Sequence, residues 1–469
     1  MPRLRPSIAR NPRRFGLAGV GLAVAGLVLV PAPALAGAPS LQAAIGNPSD
    51  FHLSGSVRLR YETLLGQSRA GFAADDEQLA MRTIVTAEYH HKALRIGAEL
   101  YDSRAWLAPP GSAISANDVN ALEFVQAYVG ADLGASLGAG SDTKIKAGRM
   151  TLNLGSTRLV ASDDYRNATN GYTGLRADVK TDGLAATLIY VLPQVRLPDD
   201  PAGVRSQKVV WDRESFDLQL WGGVFARPHA IAGATAELTY LHFHEAITPG
   251  RPNRERRLDT YGGRLFRAPA PGHWDFEIEG YHQTGSIAAS TASGAARLPV
   301  AASFVRAGFG YAFANRAKMR LSLAYDYASG DGPGGHFARF DTLFGSRRGD
   351  LGPSGIYAEI GRTNLSSLEV RAEIAPGKRF DAFVGYRAFW LAEPSDAFST
   401  TGVRDATGRS GSFAGHQVDT RLRYWLVPGV LRGEVDAVWL AKGRFLLTAP
   451  NAPRTGDTHY LSTGLTATF

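Results

Sequence analysis

From residue 51 onward the chain alternates apolar and polar positions in short runs. Val57, Leu59 and Tyr61 oppose Arg58, Arg60 and Glu62. Leu94, Ile96, Ala98 and Leu100 oppose Arg95 and Glu99, and Trp274, Phe276 and Ile278 oppose Asp275, Glu277 and Glu279. The pattern recurs at 305–313, 319–326, 368–374 and 418–424. It also closes the chain, with Leu461, Thr463, Leu465, Ala467 and Phe469 on one side and Ser462, Gly464, Thr466 and Thr468 on the other. A period of two marks strands with one apolar and one polar face, not amphipathic helices.

The connections carry more information than the strands. Short ones centre on His91-Lys92, 131–141, Thr181-Asp182, 226–231, 268–271, 314–316, 375–378 and Pro428-Gly429. Long ones centre on 65–79, 103–120, 151–170, 193–211, 244–256, 284–300, 328–364, 391–415 and 442–457. These eight short and nine long connections alternate strictly, which gives 18 strands with both termini on the short-turn side. Loop length that segregates by parity is the rhythm of an outer-membrane barrel, with short turns on one membrane face and long loops on the other. The segment 355–362 also reads as extended. It is assigned to the seventh long loop, because a nineteenth strand would break the even count of bacterial barrels. The predicted fold is all-β: a transmembrane antiparallel up-and-down β-barrel with short periplasmic turns and long extracellular loops.

The N-terminus supports that destination. Arg3, Arg5, Arg10, Arg13 and Arg14 precede an apolar run over 15–30 and the small-x-small site Ala34-Leu35-Ala36. This reads as a signal peptide over 1–36; the run is shorter than the roughly 20 residues of a spanning helix. A short periplasmic segment over 37–50 and a barrel over 51–469 follow. The segment is too short for a plug domain, which argues against an energy-coupled transporter. Taking five arginine charges from a formal net charge of +8 leaves +3, so basicity is no argument for nucleic acid. The chain has no cysteine, which excludes disulfides, thiol catalysis and thiolate zinc sites. No other segment is apolar enough to span as a helix. Membrane crossing therefore requires a closed barrel, the other way to satisfy backbone polar groups in lipid.

Inward parity places many arginines in the lumen, among them Arg58, Arg60, Arg176, Arg306, Arg320, Arg371, Arg387, Arg421, Arg423 and Arg432. Inward acids such as Glu62, Asp178, Asp275, Glu277, Glu279, Asp326, Glu369, Asp381, Asp419 and Asp436 are at least as numerous. Many of these charges are expected to pair across neighbouring strands. A ring of arginines at a constriction sets anion preference even in a mixed lumen, and the planar guanidinium suits bidentate contact with a sugar carboxylate. Signals for catalysis are weak. His242 and His244 share one strand face, a geometry open to a metal, but a polar strand-to-loop transition explains them. Asp163-Asp164 and Asp331 lack the ligand spacing of a calcium loop. No nucleophile elbow or phosphate loop is present. No catalytic residue, metal or cofactor is expected.

The stretch Gly148-Arg149-Met150-Thr151-Leu152-Asn153-Leu154-Gly155-Ser156-Thr157-Arg158-Leu159-Val160, continued by Tyr165-Arg166-Asn167-Ala168-Thr169-Asn170-Gly171-Tyr172-Thr173-Gly174-Leu175-Arg176, resembles the alginate export family of outer-membrane barrels. Tyr327-Ala328-Ser329-Gly330-Asp331, Phe340-Asp341-Thr342-Leu343-Phe344-Gly345 and Arg423-Tyr424-Trp425-Leu426-Val427-Pro428-Gly429 extend the likeness over the mature chain. The resemblance implies an 18-stranded barrel that passes an acidic polysaccharide by diffusion. It nominates Arg149, Arg158, Arg166, Asn167 and Arg176. Parity sets Arg149 opposite Lys144 and Lys146, so facing the lumen would require a bulge or a barrel-end position. Two functions stay open: a channel for an acidic polysaccharide, or a general or nutrient-uptake porin for small acidic sugars or other anions. A lipid-modifying barrel enzyme and a purely structural barrel are weaker alternatives. The expected partners are outer-membrane lipid, the barrel assembly machinery acting on the strand that ends in Phe469, and periplasmic polysaccharide-export proteins. The expected state is a monomer.

Overall fold

The computed structural model describes residues 40–248 and 250–469; the signal peptide expected over 1–36 lies outside them. The strands are β1 (Phe51–Leu65), β2 (Asp76–His91), β3 (Leu94–Trp106), β4 (Asn120–Gly134), β5 (Asp142–Met150), β6 (Tyr172–Lys180), β7 (Ala185–Pro193), β8 (Leu218–Ile231) and β9 (Ala234–Glu245). They continue as β10 (Arg257–Arg267), β11 (His273–Ala288), β12 (Arg297–Ala312), β13 (Arg320–Ala328), β14 (Leu365–Gly377), β15 (Phe380–Trp390), β16 (Phe413–Val427), β17 (Leu431–Lys442) and β18 (Thr458–Thr468). Three short helices, α1 (Leu41–Ala44), α2 (Pro201–Ser206) and α3 (Arg444–Thr448), lie outside the wall sequence. Each strand pairs antiparallel with its neighbours in sequence, and β1 also pairs with β18, from Ser56↔Thr468 to Leu65↔His459. The sheet is closed and has no edge to protect, the condition for crossing lipid with strands.

The predicted connections hold in number and order, with two corrections of place. Residues 375–377 of the turn expected over 375–378 belong to β14, and the reversal falls at Lys378 and Arg379. The turn expected over 226–231 belongs to β8, and the reversal is made by Ala232 and Gly233. Pro228 was the misleading residue: it has no N–H for the ladder, and the β8–β9 register shifts between Arg227 and Ile231 to accommodate it. Ala232 and Gly233 both have positive φ, 48° and 79°, as a two-residue hairpin loop requires. The segment 355–362 holds no strand and is part of the seventh long loop.

The outer wall is apolar. Leu175, Leu238, Ile278 and Val370 are each more than half exposed, a waste of burial in water and a match to hydrocarbon in a membrane. Aromatic groups mark both ends. Trp274 packs on Phe309 at 4.8 Å near the short turns, and Trp221 meets Tyr240 at 5.6 Å near the long loops. The Phe469 backbone exchanges hydrogen bonds with Gly55, and its ring fills the space that a Cβ at Gly55 would need.

Inside, the two halves of the lumen differ. Towards the long loops the inward positions turn apolar: Leu64, Phe243, Phe304 and Leu440 are buried against Leu152, Val160, Leu351 and Tyr357. The last four belong to the third and seventh long loops, 151–171 and 329–364, called here loops 3 and 7. The two loops pair with each other inside the barrel. Phe344 N donates to Leu159 O (2.9 Å), Ala161 N to Phe344 O (3.1 Å) and Ser346 N to Thr157 O (3.0 Å). A hydrophobic core thus occupies the extracellular half of the barrel, and charged wall lines the rest.

Candidate functional site

One amide of loop 3 gathers three backbone carbonyls. Asn167 Nδ2 lies 2.9, 3.0 and 2.9 Å from the carbonyl oxygens of Met81, Arg104 and Asp118, and Asn167 O accepts from Ser103 Oγ at 2.7 Å. These contacts hold the segment 163–166 across the lumen. On the far side the Tyr165 hydroxyl meets the Tyr460 hydroxyl at 2.9 Å, and the ring lies beneath the guanidinium groups of Arg60 (4.4 Å) and Arg348 (4.9 Å).

The segment divides two cavities. The extracellular one, about 620 Å³, is lined by loop 3, the fourth and fifth long loops (194–217 and 246–256, loops 4 and 5) and loop 7; Arg166, Arg196, Arg256, Asp217 and Glu245 contribute. The one facing the short turns, about 270 Å³, is lined by Arg58, Arg60, Arg348, Arg421, Arg423 and Arg432 against three acids, Asp163, Asp164 and Glu434. Arg60 pairs with Glu62 (2.7 Å), Arg432 with Glu434 (3.5 Å) and Arg348 with Asp436, while Arg421 and Arg423 share Asp381 at 2.9 and 3.0 Å. Arg58 makes no ion pair among the described residues: it donates to the carbonyls of Asp164 (3.0 Å) and Arg166 (2.6 Å). The buried Nε atoms of Arg58, Arg348, Arg421 and Arg432 have no acceptor among the described residues. Guanidinium N–H groups held in a confined, net-positive space form a receptor for carboxylates.

The other nominated residues fall into three groups. Arg166 lines the upper cavity while bonded to Asp163 (2.7 Å) and Asn117 (2.9 Å). Arg158, Arg306 and Arg387 belong to a buried network. Arg158 binds Asp350 (2.7 Å), Glu277 (2.9 Å) and Glu279; Arg306 binds Asp326 (2.8 Å); Arg387 binds Asp326 (2.7 Å) and Glu369 (2.6 Å). Arg176, Arg320 and Arg371 are wall residues compensated by Asp178 (2.7 Å), Asp275 (2.6 Å) and Glu369 (2.9 Å). Of the inward arginines read from the sequence, the structure therefore gathers Arg58, Arg60, Arg421, Arg423 and Arg432 in the lower cavity, and none of the residues that the resemblance nominates. Arg149 is a correction as a pore-lining residue. It stays on the outward parity of β5, in register with Ala127 and Thr173, and its guanidinium is taken up by Glu123 and Glu214 at the rim. His242 also faces outward, bonded to Asp259 at 2.8 Å and stacked on Trp221. Arg348 and Arg196 were not foreseen, because loop residues carry no period from which to read their direction.

Residues 51–457 match the sequence profile of the alginate export family, most of the chain. The chain belongs to the alginate export family. Three solved structures show the same fold as this family member. Acinetobacter baumannii OccAB1 is 13% identical with a TM-score of 0.59, over 92% of this chain and 99% of that one. Pseudomonas aeruginosa OccK8 (OprE) is 12% identical with a TM-score of 0.55, over 90% and 98%. P. aeruginosa OccK3 (OpdO) is 13% identical with a TM-score of 0.53, over 90% and 96%. No curated protein matches the chain. Family and fold together make this a bacterial outer-membrane channel.

The rim of the upper cavity carries a pH dependence. Burial, then the neighbouring Glu123 carboxylate, pushes Asp212 in loop 4 up to about 7 from an ordinary 3.8. Its carboxylate accepts from Asn120 Nδ2 (2.7 Å) and Leu197 N (2.8 Å). A raised acid binds more protons in the docked loop than in the released one. The penalty for docking is therefore absent below the released value of 3.8, grows as pH rises from there to the docked value of about 7, and is complete above it. Loop 4 should resist proteolysis better at about pH 5 than at about pH 8, and equal cleavage at the two would contradict this assignment.

Proposed function

We propose that the protein is a passive, anion-preferring channel for an acidic polysaccharide or oligosaccharide. The observation that carries this reading is the lower cavity, where six arginines face three acids and Arg58 is left without a carboxylate. A uronate entering there exchanges its hydration for charge-assisted N–H donors already in place. Because the donors are many and partly occupied by Asp381 and Glu434, the site is weak enough to release what it attracts. The channel has no direction of its own; periplasmic export partners and the solute gradient would set it. Phe469 and the closing strand would serve the assembly machinery.

Single-channel recordings in a salt gradient test the proposal. The expected result is a reversal potential of the sign set by anion flux, with current blocked by oligouronates. An unselective conductance indifferent to oligouronates would overturn it. One observation favours uptake of small acidic sugars instead. The lower cavity is only about 270 Å³, at the small end for ligand sites, and loops 3 and 7 cross the lumen above it. Block by monomeric uronate as effective as block by longer oligomers would select that second reading.

A further inference from the structure

The wall is low over three successive strands, β5, β6 and β7, which have nine residues each, whereas β4 beside them has 15. The β4–β5 ladder stops at Ala127↔Arg149, so the outward residues Leu122 and Phe124 rise above it, paired with β3 on one side and with no strand on the β5 side. Loop 4 fills this step. The Trp211 ring meets the lipid-facing Phe124 edge-on at 6.5 Å. Trp211 and Phe216 are 62% and 69% exposed. Yet the backbone that carries them is fixed: Asp212 is held by Asn120, and Glu214 accepts from Arg149 Nη2 (2.8 Å) and Thr173 Oγ1 (3.1 Å). Anchored aromatics that project from a lipid-facing wall match the interfacial zone of a bilayer, where tryptophan is favoured. To either side, Trp106 at the end of β3 and Trp221 at the start of β8 supply the belt from strands.

We propose that the loop 4 segment 209–216 lies in the interfacial zone of the outer leaflet, where Trp211 and Phe216 complete the extracellular aromatic belt above the short strands. The occupant of this surface is membrane lipid, because the surface continues the established lipid-facing wall. The placement also accounts for Arg149. An arginine on lipid-facing parity is costly; here loop 4 covers it, leaving its side chain 18% exposed and neutralised by Glu123 and Glu214. Asp217 and Arg196 of the same loop line the upper cavity, so the membrane contact and the channel mouth share one segment.

The chain has no cysteine, so a single label reports one position. Phe216→Cys bearing a nitroxide, in phospholipid vesicles, is expected to be more accessible to oxygen than to a water-soluble nickel chelate, like Leu175→Cys on the lipid-facing wall. Accessibility like that of Ala292→Cys in the sixth long loop overturns the proposal. Trp211 is read without a label: Trp211→Phe should lower the fraction of tryptophan emission quenched by brominated phospholipid, and an unchanged fraction overturns it equally.

Discussion

Exchanging Arg58, Arg421 and Arg432 together for glutamine should bring the reversal potential in a salt gradient close to zero and weaken oligouronate block by roughly ten- to a hundredfold. The three arginines line the lower cavity with Arg60, Arg348 and Arg423. Removing them leaves three arginines against the three acids Asp163, Asp164 and Glu434, a balanced lining. A hydrogen bond from a charged donor is worth about 1.5–3 kcal/mol, and about 1.4 kcal/mol is a factor of ten in binding. The fold should tolerate the change. Arg58 bonds only carbonyl oxygens, and Asp381 keeps Arg423 after Arg421 is lost. A triple variant with unaltered selectivity and block would place the recognition elsewhere in the channel.

The substitution with the largest structural effect is Asp350→Asn. The Asp350 side chain, 11% exposed, joins Arg158, Arg306 (3.5 Å) and Arg362, and its carbonyl accepts from Arg387 at 2.8 Å. Arg158 and Arg306 keep other carboxylates, but Arg362, 3% exposed, has no second one among the described residues. Breaking a buried pair and leaving one charge behind costs about 3–5 kcal/mol. The wall is held by its own ladders, so the loss should fall on the docking of loops 3 and 7. The expected variant migrates as a folded barrel but shows larger and noisier single-channel conductance. Wild-type conductance would mean that the network around Asp350 does not hold the loops.

What the sequence made legible, and what it hid, follows from one physical distinction. Side-chain alternation reports which face of the wall a residue occupies. It therefore placed Arg421, Arg423, Arg306 and Arg320 inward and gave the strand count. It does not report height along the barrel axis or the identity of a neutralising partner. Arg320 and Arg421 look alike in the sequence, yet Asp275 and Glu373 enclose the first while the second borders a cavity. Arg149 shows the opposite case. Parity read its direction correctly as opposite to Lys144 and Lys146, and the family resemblance argued for the lumen. Loop geometry was not legible at all. The pairing of Val160 with Phe344 and the three-carbonyl grip of Asn167 depend on folding across long separations, for which no local period exists.

The ladder between loops 3 and 7 has a consequence for biogenesis. The ion pair beside it, Arg158 with Asp350, joins residues 192 positions apart, and eight strands, β6 to β13, lie between the two loops. Loop closure over such a span is entropically slow. The wall can zip strand by strand, but its interior stays greasy until loop 7 arrives, with Phe243 and Phe304 uncovered. A half-assembled barrel therefore exposes apolar surface and is prone to aggregation and proteolysis. Variants that delay loop 7 should accumulate as degraded precursors even where the finished barrel would be sound.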